Sequence, residues 1–314
     1  MMNSRHLKVE LRLGTRASLL ALRQAKWVKS QVEKNYPEVG ITLVHIKTEG
    51  DRIDIPLFKV GGKGLFVKEI EEALLRGEVD LAVHNAKDLP ALIPEGLMLM
   101  AFPEREDPRD VLISTDRKSW QEIPLGGKVG TGSLRRQAQL LNLRPDLTIV
   151  PLRGNLDTRI KKLSTLKLNA VVLAAAGLLR MGWEDRVTEY FEPEVMLPAV
   201  GQGALAIEGR AGDERVQKVV SSLNHFSTQL AVAAERAFLK RLEGGCQVPI
   251  AGLAKVESGK LSLNGLVASF DGRKVIKGKV EGPSLKSEDL GRQLAEELLE
   301  NGAGDILREG KKRE

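Results

Sequence analysis

Two stretches decide the fold: Leu13-Gly14-Thr15-Arg16-Ala17-Ser18 and, about 115 residues later, Val129-Gly130-Thr131-Gly132-Ser133-Leu134-Arg135. Each runs an apolar strand through glycine into a turn, then into a helical pattern that a serine is placed to cap. Each carries an arginine in the turn or first helical residues, where free N–H groups and the positive dipole end favour an anion. Working outward, Leu11–Leu13, Ile41–Lys47, Leu81–His84, Val111–Ser114, Lys128–Gly130, Thr148–Pro151 and Ala170–Ala174 read as strands. Ser18–Asn35, Lys68–Arg76, Leu134–Asn142 and Thr158–Lys167 read as helices. This alternation predicts βαβ units around parallel sheets. Its repeated opening predicts two α/β lobes facing each other across a cleft. Either stretch alone is an ordinary capped helix.

The last 90 or so residues change character. Ser227–Leu242 places Leu230, Ala233, Ala234, Ala237 and Phe238 on one helical stripe, ended by Gly244 and Gly245. Three strands follow, Ile250–Val256, Leu261–Ser269 and Lys274–Glu281, joined by the hairpin signals Ser258-Gly259 and Asp271-Gly272. Ser287 then reads as the cap of a helix running to about Asn301. This is a small α+β domain with a three-stranded antiparallel sheet.

Composition narrows the function. The chain has 314 residues, 42% hydrophobic and 29% charged, too long for one ordinary core. No apolar run opens it at Met1–Glu10, and its longest apolar stretch, Ala170–Leu179, is far short of a membrane span. These readings, with a single cysteine, point to the cytosol. A net charge of +6 favours anionic partners. Nucleic acid fits poorly, because aromatics are only 4% and the basic residues are not bunched on one arm or face. Small polyanions remain.

The basic residues sit where open α/β sheets bind ligands, beyond strand C-terminal ends. Arg135 and Arg136 begin a helix, Arg153 follows a strand in Pro151-Leu152-Arg153-Gly154-Asn155, Arg159 stands in the next helix's first turn, and Arg180 follows Ala174-Ala175-Ala176-Gly177. Arginine grips carboxylates and phosphates bidentately, and several of them opposing helix dipoles make sense if an anion compensates. Asp88 lies beside Lys87 where the apolar run Leu81-Ala82-Val83-His84 enters a loop. Its carboxylate can donate a proton or stabilise a cation, or can be a surface ion pair. His84 reads as a packed histidine. Gly61-Gly62-Lys63-Gly64 lacks the spacing and the following Ser/Thr of a nucleotide P-loop and reads as a flexible loop, and no His/Glu pair has metal spacing. The lone thiol, Cys246, cannot close an internal disulfide or build a multi-cysteine metal site. It is an inert small residue or a nucleophile used once. It follows a helix C-terminus, whose dipole disfavours a thiolate.

Seven ordered segments carry a resemblance. They are Leu13-Gly14-Thr15-Arg16-Ala17-Ser18; Gly62-Lys63-Gly64-Leu65-Phe66-Val67-Lys68-Glu69; Val83-His84 with Lys87-Asp88; Gly130-Thr131 with Ser133-Leu134-Arg135-Arg136; Arg153-Gly154-Asn155; Pro198-Ala199-Val200-Gly201-Gln202-Gly203; and Gly244-Gly245-Cys246-Gln247-Val248-Pro249. Over nearly its whole length the chain resembles the hydroxymethylbilane synthase (porphobilinogen deaminase) family. The resemblance implies two periplasmic-binding-protein-like doubly wound lobes plus the small α+β domain. Lobe one would comprise residues 1–103 with about 201–222, lobe two 104–200, and the small domain 223–314. It implies a transferase of porphyrin biosynthesis that joins four porphobilinogen molecules head to tail on a covalent dipyrromethane primer, releases ammonia each time, and frees linear hydroxymethylbilane with water. Cys246 would hold the primer by a thioether. The electrophilic azafulvene formed when the substrate loses ammonia would ease the thiolate problem. Asp88 would assist departure of the amine and stabilise cationic pyrroles. Each ring carries two carboxylates, so six rings bring about twelve negative charges into one cleft. Arg16, Arg135, Arg136, Arg153, Arg159 and Arg180 would hold them, with Ser18, Lys63, Lys87, Thr131 and Ser133 helping. The resemblance further implies a monomer whose product passes to uroporphyrinogen III synthase, and no metal.

Three positions depart from the family's usual pattern: Asn85 and Ala86 where Ser and Met or Leu are usual, and Gly132 where a second serine is common. Altered packing or rate is expected there, with the chemistry retained because Lys87, Asp88 and Cys246 are intact. Two rival readings remain at this point. One is a non-catalytic anion-binding protein of the same two-lobe architecture, which leaves Cys246 and Asp88 idle. The other is a family member that has lost activity.

Overall fold

The computed structural model describes residues 9–48, 67–242 and 248–311. The loop Gly61–Gly64 with Lys63, the glycines Gly244 and Gly245, and Cys246 lie outside the described residues.

The chain begins with strand β1 (Val9–Thr15), helix α1 (Leu19–Asn35), strand β2 (Val39–His45), helix α2 (Lys68–Leu75), and strands β3 (Leu81–Asn85) and β4 (Leu97–Ala101). It continues through β5 (Asp110–Ser114), β6 (Lys128–Thr131), α3 (Leu134–Leu143), β7 (Thr148–Pro151), α4 (Leu156–Thr165), β8 (Ala170–Ala174), α5 (Ala175–Met181) and β9 (Glu189–Phe191). Strand β10 (Leu205–Arg210) and helix α6 (Glu214–Ser221) come next. The last part comprises α7 (Phe226–Arg241), strands β11 (Ile250–Glu257), β12 (Lys260–Ala268) and β13 (Val275–Pro283), and helices α8 (Ser287–Leu298) and α9 (Gly304–Lys311).

The two larger sheets have the same wiring. One runs β2-β1-β3-β10-β4 and the other β7-β6-β8-β5-β9. In each, three strands are parallel, and a fourth pairs antiparallel both with the third and with an edge strand. In the second sheet that strand, β5, is the first of its lobe, entered after the crossing at 102–110; in the first sheet it is β10, which returns from the far side of the second lobe after the crossing at 197–205. The duplicated strand–turn–helix signature is thus the visible part of a duplicated lobe. Helix α1 shows why its segment is helical: Gln24, Ala25, Val28 and Val32 recur at helical spacing and are buried, the last three packing on Leu11, Leu13, Ile41 and Leu81. Each Leu or Ile buried in this way contributes roughly 1.5–3 kcal/mol.

The third sheet, β11-β12-β13, is antiparallel and packs Leu263 and Val267 against Phe238 of α7 and Leu294 and Leu298 of α8. Ser258 (φ 49°) and Gly259 (φ 77°) both take positive φ between the paired residues Glu257 and Lys260, the conformation of a two-residue type I′ hairpin.

Several elements differ from the sequence reading. Strand β2 lies two residues earlier than expected, and α4 starts at Leu156 rather than Thr158. Ser287 is the first residue of α8, and the cap position is Lys286, which makes no side-chain cap bond. Regular helix stops at Leu298, before a wide turn containing Gly302 at φ 97°. Strands β4, β9 and β10 and helices α5, α6 and α9 had no counterpart in that reading. Among the described residues no helix is long and apolar enough to cross a membrane.

Candidate functional site

In both lobes the candidate residues follow the C-terminal ends of parallel strands, where open α/β sheets bind ligands. Strand β1 ends at Thr15, Arg16 follows, and Ser18 caps α1 by accepting from Ala21 N at 3.3 Å. Strand β6 ends at Thr131, whose Oγ1 accepts from Ser133 N at 3.2 Å, and Ser133 caps α3 by accepting from Arg136 N. Both serines therefore do the capping their positions predict. At Gly132 a Cβ would stand 2.3 Å from Leu152 O, so the departure to glycine matches the close approach of backbone here.

Strand β3 delivers Asp88 through a single 3₁₀ turn, Ala86–Asp88, that starts immediately after Asn85. Asn85 Nδ2 donates to Asp88 Oδ2 at 3.0 Å, and Gln24 Nε2 donates to Asn85 Oδ1 at 2.7 Å. Arg16, Gln24, His84, Asn85 and Asp88 line one small cavity. His84 is buried, as its strand phase suggested, with Nε2 3.0 Å from Glu208 Oε2. Glu71, also buried, is pushed up to about 7 by burial and then by the charge of Glu208.

Arg135 and Arg136 are both buried in the first turn of α3. The anion that their helix-start position calls for is, first, one of the protein's own. Asp110, fully buried at the start of β5, accepts from Arg135 Nη1 (2.6 Å) and Nη2 (3.2 Å), from Arg136 Nε (2.9 Å) and from Gln202 Nε2 (2.9 Å). Burial alone would raise the Asp110 pKa, but the two guanidiniums outweigh it and hold the carboxyl far below its usual range. Arg135 Nε is buried with no hydrogen-bond partner among the described residues.

One carboxylate does not neutralise this centre. Lys87 feels the charges of Arg136, Asp88, Asp110 and Arg135; burial first, then Arg136, pushes its amine down to about 8. Arg159, whose Nε donates to Gly154 O at 2.8 Å, is pushed down to about 10 by burial and then by Arg136, with Arg153 adding to the effect. Lys87, Arg135, Arg136, Arg153 and Arg159 thus form one electrostatic group around Asp88 and Asp110. Arg180 stands apart: its Nη2 donates to Gly203 O at 2.6 Å, and burial lowers its pKa to about 10 against the opposing pull of Glu106.

The group is held together by residues the sequence reading did not single out. Gln202, with no exposed surface, donates to Pro108 O (2.7 Å) and Asp110, and accepts from Lys87 Nζ (3.2 Å) and Arg136 Nη2 (3.4 Å). It ties both crossings to the site. Gly201 beside it has φ +72°, and a Cβ there would stand 2.8–3.0 Å from Ala86 and Lys87, so this loop fits tightly over the small Ala86. Glu235 of α7, also without exposed surface, accepts from Arg105 Nη1 (2.6 Å), Gly201 N (2.6 Å) and Ala254 N (2.8 Å), joining the third domain to both crossings. A glutamine between two glycines was the available signal for Gln202, and an aspartate opening an apolar strand the signal for Asp110.

Residues 11–218 match the family model described as "Porphobilinogen deaminase, dipyromethane cofactor binding domain", and residues 229–300 match "Porphobilinogen deaminase, C-terminal domain". The chain belongs to the porphobilinogen deaminase family. It is 55% identical to the porphobilinogen deaminase of Geotalea uraniireducens over 97% of this chain and 96% of that one, and 56% identical to that of Geobacter metallireducens over the same shares. Solved structures similar to it include the substrate-binding domain of a putative molybdenum ABC transporter from Clostridium difficile (TM-score 0.44, 12% identity, 70% of this chain and 94% of that one). A TRAP periplasmic solute-binding protein from Desulfovibrio salexigens is another (TM-score 0.43, 12% identity, 69% and 72%). Family membership accounts for the paired lobes and gives the cluster of basic side chains a chemical context. Among the described residues no cluster of three or more His, Cys, Asp or Glu is arranged to hold a metal ion.

Proposed function

We propose that this chain is a hydroxymethylbilane synthase, with Asp88 as its catalytic carboxylate and Cys246 as the attachment point of a dipyrromethane primer. In this reading lobe one comprises residues 1–103 and about 201–222, lobe two 104–200, and the small domain 223–314. The observation that carries it is the gathering of basic side chains about Asp88: Lys87 and Arg159 are coupled to it and to the buried pair Arg135 and Arg136. Buried charge is costly without compensation. A primer carrying acetate and propionate groups fits that need, and Arg135 Nε is a buried donor with no hydrogen-bond partner among the described residues.

Arg135, Arg136, Arg153, Arg159 and Lys87 would hold the carboxylates from lobe two and the Asp88 loop, Arg16 from lobe one, and Arg180 from beside the crossing. Ser18, Thr131, Ser133 and Lys63 would help. When bound, the dipyrromethane would supply the nucleophilic pyrrole carbon to which the first ring is joined, each later ring being joined to the one added before it. In each round the C–N bond of the substrate's aminomethyl group breaks, ammonia leaves, a C–C bond forms and one ring proton is lost. Asp88 stabilises the positive charge that develops as the amine departs. A fixed carboxylate at such a point lowers the barrier by several kcal/mol, of the order of 3. Gln202 holds Lys87 and Arg136 in place, and the lobes exclude water around the charges. We further propose that the protein works as a cytosolic monomer and passes its product to uroporphyrinogen III synthase.

Intact mass and turnover test the reading together. The purified protein should exceed its sequence mass by two linked pyrrole units, and Cys246→Ser should remove the excess. Asp88→Asn should keep the excess yet lose at least about a hundredfold in turnover. A bare mass after incubation with porphobilinogen favours the anion-binding protein instead.

A further inference from the structure

We propose that Asn85 is a positioning residue for the Asp88 carboxylate, braced from helix α1 by Gln24. The inference rests on the catalytic reading of Asp88 and adds what sets that carboxylate's orientation. Asn85 is the last residue of β3, and Asp88 closes the turn that follows, three residues on. A carboxylate on a short turn can swing about its own side-chain torsions. Here Oδ2 is tied by Asn85 Nδ2 at 3.0 Å. The amide is itself fixed, because Gln24 Nε2 donates to Asn85 Oδ1 at 2.7 Å and Gln24 is buried on α1.

The direction of the relay follows from its end. An ionised carboxylate only accepts, so Asn85 must present its NH₂ to Asp88 and turn its carbonyl oxygen to Gln24. Both bonds are then satisfied, and the amide has one orientation. Two long-range elements, α1 and β3, thereby define where the negative charge sits within the cavity they line. The other groups facing or electrostatically coupled to Asp88 are Arg16 and His84 across the cavity, and Lys87 and Arg159. Asn85 is the uncharged donor among them.

The test uses the primer-loaded full-length enzyme and its turnover of porphobilinogen at one fixed pH. Asn85→Leu should retain the primer mass and a KM within about twofold of the parent, while kcat falls about tenfold. Asn85→Ser, which keeps a shorter donor, should fall between the two. Should Asn85→Leu fail to fold or load, Gln24→Met removes only the brace and should lower kcat by a smaller amount. An unchanged kcat in the folded, loaded variants would overturn the positioning role, as would a change confined to KM or to thermal stability. The parent reading fails separately: Asp88→Asn turning over at the parental rate removes the catalytic role of Asp88, whatever the Asn85 variants do.

Discussion

Replacing Asp110 with asparagine asks whether the arginine pair is stabilised by its own carboxylate. The Asp110 side chain is wholly buried and is bonded by Arg135, Arg136 and Gln202. Asparagine keeps the shape and removes the charge, leaving two guanidiniums buried without their counter-ion. Breaking a buried pair from one side costs about 3–5 kcal/mol. With a urea slope of about 1.5 kcal/mol/M for a domain of this size, the unfolding midpoint of lobe two should fall by about 2–3 M. Tryptophan fluorescence of primer-free protein in a Trp27→Phe background reports on this lobe, since Trp120 and Trp183 both belong to it. The sign with pH is definite. The folded pKa of Asp110 is depressed, so its contribution is fully present above the unfolded value near 3.9 and is lost only as pH falls through the lower folded value. The loss on substitution should therefore be the same at about pH 6 and pH 8. It should also shrink by about 1–2 kcal/mol in an Arg136→Met background, where one cation fewer is stranded. A midpoint within about 0.5 M of the parent, or strictly additive effects of the two substitutions, would refute the argument that charge compensation holds this centre.

Lys87 makes a pH prediction of its own. Its amine is lowered to about 8 by burial and by Arg136, so in the primer-free protein it loses its proton above that pH and with it part of its grip on carboxylates. Primer assembly from porphobilinogen, followed by mass, should slow above about pH 8, and Lys87→Arg should extend the plateau; a rate that rises over the same range marks thiolate formation as the controlling step instead. Glu235 predicts a structural effect. Glu235→Gln removes the charge that Arg105 pairs with and weakens the bonds from Gly201 N and Ala254 N, so stability should fall by about 3 kcal/mol and proteolysis at the two crossings should quicken. Unaltered cleavage at 102–110 and 197–205 would count against a clamp.

The elements that sequence periodicity revealed are those with a local reason to exist. Helix α1 carries its buried stripe in its own residues, and Ser258-Gly259 carries its own turn geometry. The elements it missed depend on something distant. Strand β10 reads Leu205-Ala206-Ile207-Glu208-Gly209-Arg210 and contains a fully buried glutamate, which breaks the apolar run; its strand state comes from pairing with β3 and β4 on both sides, and Glu208 is accommodated against His84. Strand β9 has three residues and exists as an edge to β5. Helix α9 follows a turn that needs Gly302 at positive φ, so continuous helical periodicity past Leu298 was interrupted by backbone geometry.

The site divides along the same line. Anion grips announce themselves because glycine turns, capping serines and arginines at helix starts occupy fixed offsets within about six residues. Their counter-ions do not. Asp110 is 25 residues from Arg135, Gln202 is 92 from Asp110, and Gln24 is 61 from Asn85. No local pattern relates such partners; only the crossing of the chain between lobes brings them together. This explains why the arginines looked from sequence like six equivalent grips when they occupy distinct settings. Arg135 and Arg136 are largely committed to Asp110, Arg180 to the Gly203 carbonyl, and Arg159 is bonded to Gly154 O while coupled to Asp88. A pair held by a fixed internal carboxylate is preorganised and need not reorient as negative charge accumulates, which is the condition under which electrostatic stabilisation is most effective. On the proposed reading the internal anion and the external one would be complementary: the first sets the geometry of the guanidiniums, and the second would be gripped by them and by Lys87 and Arg159 beside them.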